Sequence, residues 1–178
     1  MKIEKTYIKD LFVITPEVFK DERGFFMESY NYKKFKELIK KDIKFVQDNF
    51  SQSHKGVLRG IHFQEEPFAQ AKLVRVSEGE VFDVAVDLRE NSSTYLKWFG
   101  IFLSEKNHKM LFIPEGFGHA FLTISDIANV GYKTNNFYNK DSDRCIRWDD
   151  PKISIEWPVE LLEKGVKLSD KDRNGFLM

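Results

Sequence analysis

Short strand-like runs recur along the chain with turn-forming residues between them, and this pattern constrains the fold more than any other feature. Typical runs are VLRGIHF, VFDVAVDL and HAFLTI. Many short strands separated by Gly or Pro are typical of an antiparallel sandwich or barrel. The predicted strands lie at residues 11–15, 24–30, 45–50, 57–63, 72–76, 81–88, 95–103, 110–114, 119–124, 129–137 and 146–148.

One segment, NYKKFKELIKK at residues 31–41, has the spacing of a helix instead. Phe35, Leu38 and Ile39 fall on one face of that helix, and Asn31 is placed to cap its first turn. A shorter helical turn is expected after Pro158. The predicted fold class is therefore all-β, an antiparallel β-barrel with one or two short helices.

Polar residues occupy several strand positions that should face the core. Successive side chains of a strand point to opposite faces, so a residue shares its face with those two positions away. The polar residues that alternate with apolar ones in this way are His62, Gln64, Lys72, Asp83, His119 and Tyr132. Burying several charges in a closed core would cost several kcal/mol for each. A barrel of about eight strands can instead hold a small ligand. We therefore predict that His62 and Gln64, on the side of the strand that carries Leu58, face a ligand cavity.

Arg59 presents a problem of geometry. Strict alternation places it on the face opposite His62. Both side chains can reach one ligand only if Gly60 marks a β-bulge, or if Arg59 serves at a rim or a subunit contact. Arg23 and Arg59 would suit a diphosphate group, although most arginines form ion pairs at the surface.

Composition and charge exclude several classes of protein. The 178 residues contain 28 basic and 28 acidic side chains, and this balance argues against binding to nucleic acid or an anionic membrane. No run approaches the roughly 20 apolar residues that span a bilayer. The start of the chain, MKIEKTY, lacks the apolar stretch of a signal peptide, and the single cysteine, Cys145, cannot form an internal disulfide. We expect a cytoplasmic protein with one domain over residues 1–178.

Motifs for metals and nucleotide cofactors are missing. A jelly-roll metal site uses two histidines separated by one residue, in the pattern H-x-H, whereas His62 begins the stretch H-F-Q. HExxH, CxxC, Walker and G-x-G-x-x-G sequences do not occur. We expect no metal and no cofactor. Taken singly, His62 and His119 also fit hydrogen-bonded structural histidines, Lys72 a surface lysine, and Tyr132 a core tyrosine.

A set of ordered segments resembles the dTDP-4-dehydrorhamnose 3,5-epimerase family. The segments are DERGFFMESY, FVQDNFSQS, GVLRGIHFQEEPFAQAKLVRV, GEVFDVAVDLR, FIPEGFGHAF, YKTNNFY and LSDKD, and they extend from about residue 10 to 173. The resemblance implies a cupin-like β jelly roll that is usually a homodimer. It also implies activity without metal or nucleotide cofactor on dTDP-4-dehydro-6-deoxy-D-glucose, in the synthesis of dTDP-L-rhamnose.

The same resemblance implies roles for individual residues. The family's general base corresponds to His62, the carboxylate that orients it to Asp172, its lysine to Lys72 and its acid to Tyr132. Positions that hold the nucleotide sugar correspond to Arg23, Glu28, Gln47, Asp48, Asn49, Arg59, His119, Asp143 and Lys171. At the position of Asp143 the family more often has Glu.

The residue types agree with this chemistry. A proton beside a ketone can be removed because the carbanion delocalises onto the oxygen as an enolate. A base on one face of the sugar and an acid on the other then invert the carbon. The alternatives are a 3-epimerase, a non-catalytic jelly roll that binds nucleotide sugars, and a metal-dependent cupin enzyme.

Overall fold

Strands dominate the computed structural model, which describes residues 1–162 and 164–178. These residues form thirteen strands and two α-helices. The strands are β1 (Lys2–Lys5), β2 (Phe12–Thr15), β3 (Val18–Asp21), β4 (Gly24–Met27), β5 (Gln47–His54), β6 (Leu58–Gln64), β7 (Lys72–Glu78), β8 (Glu80–Asp87), β9 (Trp98–Ser104), β10 (Met110–Ile113), β11 (Phe117–Thr123), β12 (Ile127–Thr134) and β13 (Asp143–Cys145). The helices are α1 (Tyr32–Ile39) and α2 (Asp170–Arg173), and 3₁₀ turns lie at Lys140–Ser142 and Val159–Leu161.

The strands form two main antiparallel sheets. One sheet has six strands in the order β1-β2-β10-β7-β12-β5, and the other has five in the order β13-β6-β11-β8-β9. Strands β3 and β4 form a separate hairpin. The pairs within the sheets are antiparallel. This arrangement confirms the predicted all-β class with two short helices.

The main core contains apolar residues that both sheets contribute. It includes the apolar partners that alternation predicts to face inward on β7, β8, β11 and β12. These are Val74, Val76, Val81, Ala85, Phe117, Phe121 and Val130, each at most 4% exposed. The predicted inward faces of these four strands are therefore confirmed. The polar residues that share those faces lie between the sheets as well.

Two further layers cover the outer faces. Residues near the C-terminus, including Ile153 and Trp157, pack on Leu58 and Ile61 outside the five-stranded sheet. Helix α1 packs Phe35 and Ile39 on the outside of the six-stranded sheet, where the ring of Phe35 meets that of Phe112 edge-on with centroids 5.3 Å apart.

Local sequence signals account for both helices. Asn31 caps α1, as predicted, because its side chain accepts a hydrogen bond from the Lys34 N–H at 3.1 Å. Ser169 caps α2 in the same way through the Asp172 N–H, also at 3.1 Å. The helical turn expected after Pro158 is the 3₁₀ turn at Val159–Leu161. No helix in the described residues has the length and hydropathy needed to cross a bilayer.

The structure departs from the prediction at chain segments that lack a buried face. Strand β1 was not predicted, because Lys2–Lys5 is an edge strand with mostly exposed side chains and therefore little apolar pattern. Strand β3 was not predicted either, and it belongs to the exposed hairpin. The strand predicted at 146–148 is not found there, and the strand in this region is β13, which ends at Cys145. Ile146 forms only a bridge with Phe176.

Candidate active site

A cavity of about 270 Å³ lies between the two sheets. Its walls come from β5, β6, β7, β11 and β12, so both sheets contribute. The lining residues are Asn49, Phe50, Ser51, Arg59, His62, Lys72, His119, Phe121 and Tyr132. Six of the thirteen residues predicted for the site therefore meet in one space.

A β-bulge in β6 brings Arg59 and His62 to the same face. On the neighbouring strand, His62 lies opposite His119 and Arg59 lies opposite Phe121. Two steps along β11 thus correspond to three steps along β6, which requires one extra residue in β6. Of the two alternatives left open for Arg59, the structure therefore has the bulge next to Gly60, and this bulge explains how Arg59 lines the cavity.

Two details of the prediction for this strand are wrong. Leu58 does not share the cavity face, because the bulge directs it with Ile61 into the outer cluster. Gln64 does not line the cavity either. Its Nε2 donates to the carbonyl of Phe68 at 2.6 Å, and its Oε1 accepts from the Asn139 N–H at 2.7 Å. Gln64 therefore holds in place, by hydrogen bonds, the two loops that contain Phe68 and Asn139 at the end of β6.

His62 forms a close pair with Asp172. Nε2 of His62 lies 2.7 Å from Oδ1 of Asp172, which leaves Nδ1 as the ring nitrogen available to a ligand. The His62 side chain is one-third exposed, whereas the Asp172 side chain is 4% exposed. A buried carboxylate beside one ring nitrogen fixes the tautomer of an imidazole and stabilises its protonated form.

Asp172 is held by groups from β6 and from the N-cap of its own helix. Its Oδ1 accepts from the Gly60 N–H at 3.0 Å, and its Oδ2 accepts from the Ser169 hydroxyl at 2.5 Å. Burial opposes ionisation, but the hydrogen bonds from His62, Ser169 and Gly60 outweigh it and lower the pKa of Asp172 to about 2. Asp172 is therefore a fixed anion at neutral pH.

A second histidine–carboxylate pair lies on the same wall. Nε2 of His119 lies 2.9 Å from Oδ2 of Asp83, and both side chains are buried. The His119 ring also meets that of Tyr132 edge-on, with centroids 6.3 Å apart. His119 thus connects the wall that carries His62 to the wall that carries Tyr132.

Lys72 and Tyr132 extend from the six-stranded sheet into the cavity. Burial lowers the pKa of Lys72 to about 8, although Asp143 and Asp83 act in the opposite direction. Its Nζ donates to the carbonyl of His62 at 3.3 Å. Burial also raises the pKa of Tyr132, so the phenol keeps its proton at neutral pH. A cation and a neutral acid therefore face His62 from the opposite sheet.

Three predicted residues lie beside the cavity rather than in its lining. Lys171 forms an ion pair with Asp143, whose carboxylate also accepts from the Tyr138 hydroxyl at 3.0 Å. Gln47 donates to Asn49 at 2.9 Å and accepts from the Tyr138 N–H at 3.1 Å. These groups form a polar rim next to the lining residue Asn49.

Three other predicted residues are not brought to the cavity. Asp48 does not line the cavity, and it forms an ion pair with Lys133 at 2.8 Å. Arg23 is exposed in the hairpin, where it forms an ion pair with Asp21 at 2.5 Å. Glu28 pairs with Lys34 at 2.8 Å beside α1.

Two residues at the His62–Asp172 pair were not predicted. Ser169 donates a hydrogen bond to Asp172. The sequence pattern S-x-x-D, in which Ser169 is the N-cap of α2, could have predicted this contact. The buried thiol of Cys145 lies 3.9 Å from Oδ1 of Asp172. Together His62, Cys145 and Asp172 place one nitrogen, one sulfur and one oxygen within 4.8 Å of one another, and among the residues that the structure describes this cluster could hold a metal ion.

The fold and these groups define a class of protein, a double-sheet β protein with an acid–base site between its sheets. A His–Asp pair on one wall and a protonated phenol on the other are suited to moving protons on opposite faces of a bound molecule. The particular family follows from comparison with known proteins.

Residues 5–178 match the profile of the family described as dTDP-4-dehydrorhamnose 3,5-epimerase. The chain is 56% identical to the dTDP-4-dehydrorhamnose 3,5-epimerase of Shigella flexneri over 175 residues, which are 98% of this chain and 94% of that protein. The chain belongs to the dTDP-4-dehydrorhamnose 3,5-epimerase family.

Solved structures agree with this assignment. The crystal structure of the dTDP-4-dehydrorhamnose 3,5-epimerase of Elizabethkingia anophelis is similar with a TM-score of 0.94 and 49% identity, covering 100% of this chain and 96% of that one. The dTDP-6-deoxy-D-glucose-3,5-epimerase of Legionella pneumophila, in complex with dTDP-4-keto-L-rhamnose, has a TM-score of 0.94 and 45% identity, covering 99% and 92%. The cupin-like fold that the sequence resemblance implies is thereby confirmed.

Proposed function

We propose that the cavity between the sheets is the active site in which this chain epimerises dTDP-4-dehydro-6-deoxy-D-glucose at carbons 3 and 5. The product is dTDP-4-dehydro-L-rhamnose, an intermediate of dTDP-L-rhamnose biosynthesis. The observation that carries the proposal is that His62, paired with Asp172, and Tyr132 line one cavity from opposite sheets. Full-length relatives that are about half identical in sequence support the assignment.

Proton removal is assigned to His62. Because Nε2 faces the anionic Asp172, Nδ1 is the nitrogen that takes the proton from the carbon beside the ketone. The electron pair of the broken C–H bond moves toward the ketone oxygen and forms an enolate. The carboxylate then stabilises the imidazolium that results.

Stabilisation of the enolate is assigned to Lys72. With a pKa of about 8 the ammonium group still carries its proton at neutral pH, and burial limits screening by water. A fixed donor of this kind strengthens its interaction as negative charge develops on the oxygen. Removal of comparable groups costs about 3–4 kcal/mol of transition-state stabilisation.

Tyr132 is assigned the return of the proton from the opposite face. Its hydroxyl donates to the carbon of the enolate, and the electron pair moves back to restore the ketone with inverted configuration. The phenolate then regains a proton from water, and His62 releases one to water. The reaction therefore balances with protein side chains and solvent alone.

Solvent isotope incorporation tests these assignments. In heavy water, proton NMR of the dTDP-4-keto sugar should show loss of the signals from both carbon 3 and carbon 5. His62→Ala should abolish exchange, whereas the exposed His54→Ala should not. Tyr132→Phe should keep part of the exchange but lose inversion, which a coupled reductase reports. Exchange at carbon 3 alone would instead indicate a 3-epimerase, and binding without exchange would indicate a non-catalytic protein.

A homodimer is proposed on separate grounds. Phe19, Phe25 and Phe26 on the β3–β4 hairpin are each more than half exposed, and a cluster of this kind is typical of an interaction surface. Arg23 on the same hairpin matches a substrate-binding position of the family but is exposed and outside the cavity lining of its own chain. We therefore assign Arg23 to the site of the partner subunit.

Sedimentation and subunit mixing test the dimer. The wild type should sediment as a dimer, and Phe26→Glu should shift it toward the monomer. Mixed dimers of His62→Ala and Arg23→Ala subunits should regain activity that neither variant has alone, because one site then holds both native residues. A monomeric wild type, or mixed dimers without any gain, would contradict the assignment of Arg23.

A further inference from the structure

A nitrogen, a sulfur and a carboxylate oxygen converge beside the proposed catalytic base. Nε2 of His62 lies 2.7 Å from Oδ1 of Asp172, and Sγ of Cys145 lies 3.9 Å from the same oxygen. All three ligand atoms lie within 4.8 Å of one another. Cys145 and Asp172 are buried, whereas His62 is one-third exposed toward the cavity.

We propose that His62, Cys145 and Asp172 form a binding site for a thiophilic divalent cation such as Zn²⁺, and that the bound ion inhibits the enzyme. The inhibition rests on the proposed function, whereas the binding does not.

The spacing of the ligand atoms is close to that of a zinc site. Zinc binds nitrogen at about 2.0–2.1 Å, carboxylate oxygen at about 2.0–2.2 Å and thiolate sulfur at about 2.3 Å. Tetrahedral angles then separate nitrogen from oxygen by about 3.3 Å and sulfur from oxygen by about 3.6 Å. The observed separations of 2.7 and 3.9 Å need to change by well under about 1 Å. Water would take the fourth position, as in zinc sites with three protein ligands.

Charge also favours a divalent ion. Asp172 already carries a negative charge, and the thiol of Cys145 becomes a second anion when it binds the metal and releases its proton to water. A neutral imidazole completes a set of mixed soft and hard ligands that suits zinc or cadmium. A single carboxylate is a poor site for Mg²⁺, which requires mainly oxygen ligands.

Inhibition follows from the atoms that the ion would occupy. Once Nε2 of His62 binds the metal, the neutral ring carries its hydrogen on Nδ1. That nitrogen can no longer accept a proton from the sugar. The ion also separates His62 from Asp172, whose pairing stabilises the imidazolium.

Cadmium absorption tests binding without reference to activity. Titration of the wild-type protein with Cd²⁺ should produce an ultraviolet thiolate-to-cadmium charge-transfer band that saturates at one ion per chain, and Zn²⁺ should remove it by competition. Cys145→Ala should show no band, whereas the exposed His54→Asn should show the wild-type band. Cys145→Ser provides a second variant if the alanine variant fails to fold. A wild type without this band would overturn the site.

Enzyme kinetics test the inhibition. Zn²⁺ should inhibit the wild type, and a chelator should restore the activity. Mg²⁺ at the same concentration should not inhibit. Relative to its own metal-free activity, Cys145→Ala should require at least about tenfold more Zn²⁺ than the wild type for the same fractional inhibition, because one of three protein ligands is lost. Equal sensitivity of the wild type and Cys145→Ala would overturn the inhibitory role. If the epimerase activity itself is missing, the cadmium band still decides whether the metal binds.

Discussion

Burial of Lys72 opposes folding, so its replacement by methionine should raise stability. Lys72 is 7% exposed, and burial is the main reason that its pKa falls from an ordinary value of 10.5 to about 8. Each pKa unit corresponds to about 1.36 kcal/mol. The lowered pKa thus corresponds to about 3 kcal/mol against folding when the lysine is charged. Methionine keeps most of the apolar stem without the charge.

This cost depends on pH with a definite sign. The folded-state pKa lies below the unfolded one, so the cost is complete below pH 8 and disappears as the pH rises through 10.5. Lys72→Met should therefore exceed the wild type in unfolding free energy by up to about 3 kcal/mol at pH 7. The difference should shrink steadily between pH 8 and 10.5.

Urea unfolding at pH 7 and pH 10 measures this difference, and the isotope-exchange assay measures the accompanying loss of activity. Catalysis should fall by about 10²–10³-fold because the enolate loses its cation. The exposed Lys152→Met is the matched control and should change neither quantity. A Lys72→Met protein that is no more stable than the wild type at pH 7, or equally stabilised at both pH values, would refute the reasoning.

Three further predictions concern the bulge and the His62–Asp172 pair. Ser169→Ala should lower the free energy of unfolding by about 1 kcal/mol, because the helix loses its cap, and should lower kcat more than it raises KM. Ser169→Thr should keep most of the stability and most of the kcat. Gly60→Ala should destabilise the fold by more than about 3 kcal/mol in urea unfolding, since φ is +115° and the new Cβ would lie 2.5 Å from the His119 carbonyl oxygen. The stability that Asp172 contributes should be lost as the pH falls from 3.8 through about 2, so acid unfolding of Asp172→Asn should show less pH dependence there; equal dependence would contradict the lowered pKa.

The alternation of side chains made a large part of the site predictable. Lys72 shares a face with Val74 and Val76, and the same counting places Tyr132 inward with Val130. This inference holds wherever a strand keeps its regular pleat, because the face of each residue is then fixed by position alone. The resemblance to the family added the roles proposed for these residues.

Positions outside regular strands were harder to predict from the sequence. Asp172 lies 110 residues after His62 in the chain, and no local pattern brings them together. Arg23 lies outside the cavity lining, although the resemblance to the family predicts that it binds substrate. A sequence contains no direct record of contacts between subunits, so the role proposed for Arg23 at a partner's site depends on the resemblance and not on a pattern.

The bulge at Gly60 affects both kinds of position, those inside a regular strand and those outside one. Without the extra residue, β6 could direct either Arg59 or His62 into the cavity but not both. The same glycine donates its N–H to Asp172, which lies 2.7 Å from His62. One irregular step in an otherwise regular strand therefore sets the face of the arginine and the position of the carboxylate. Since the adjacent Leu58 and Ile61 are fully buried on the other side, the core holds this irregular step in place.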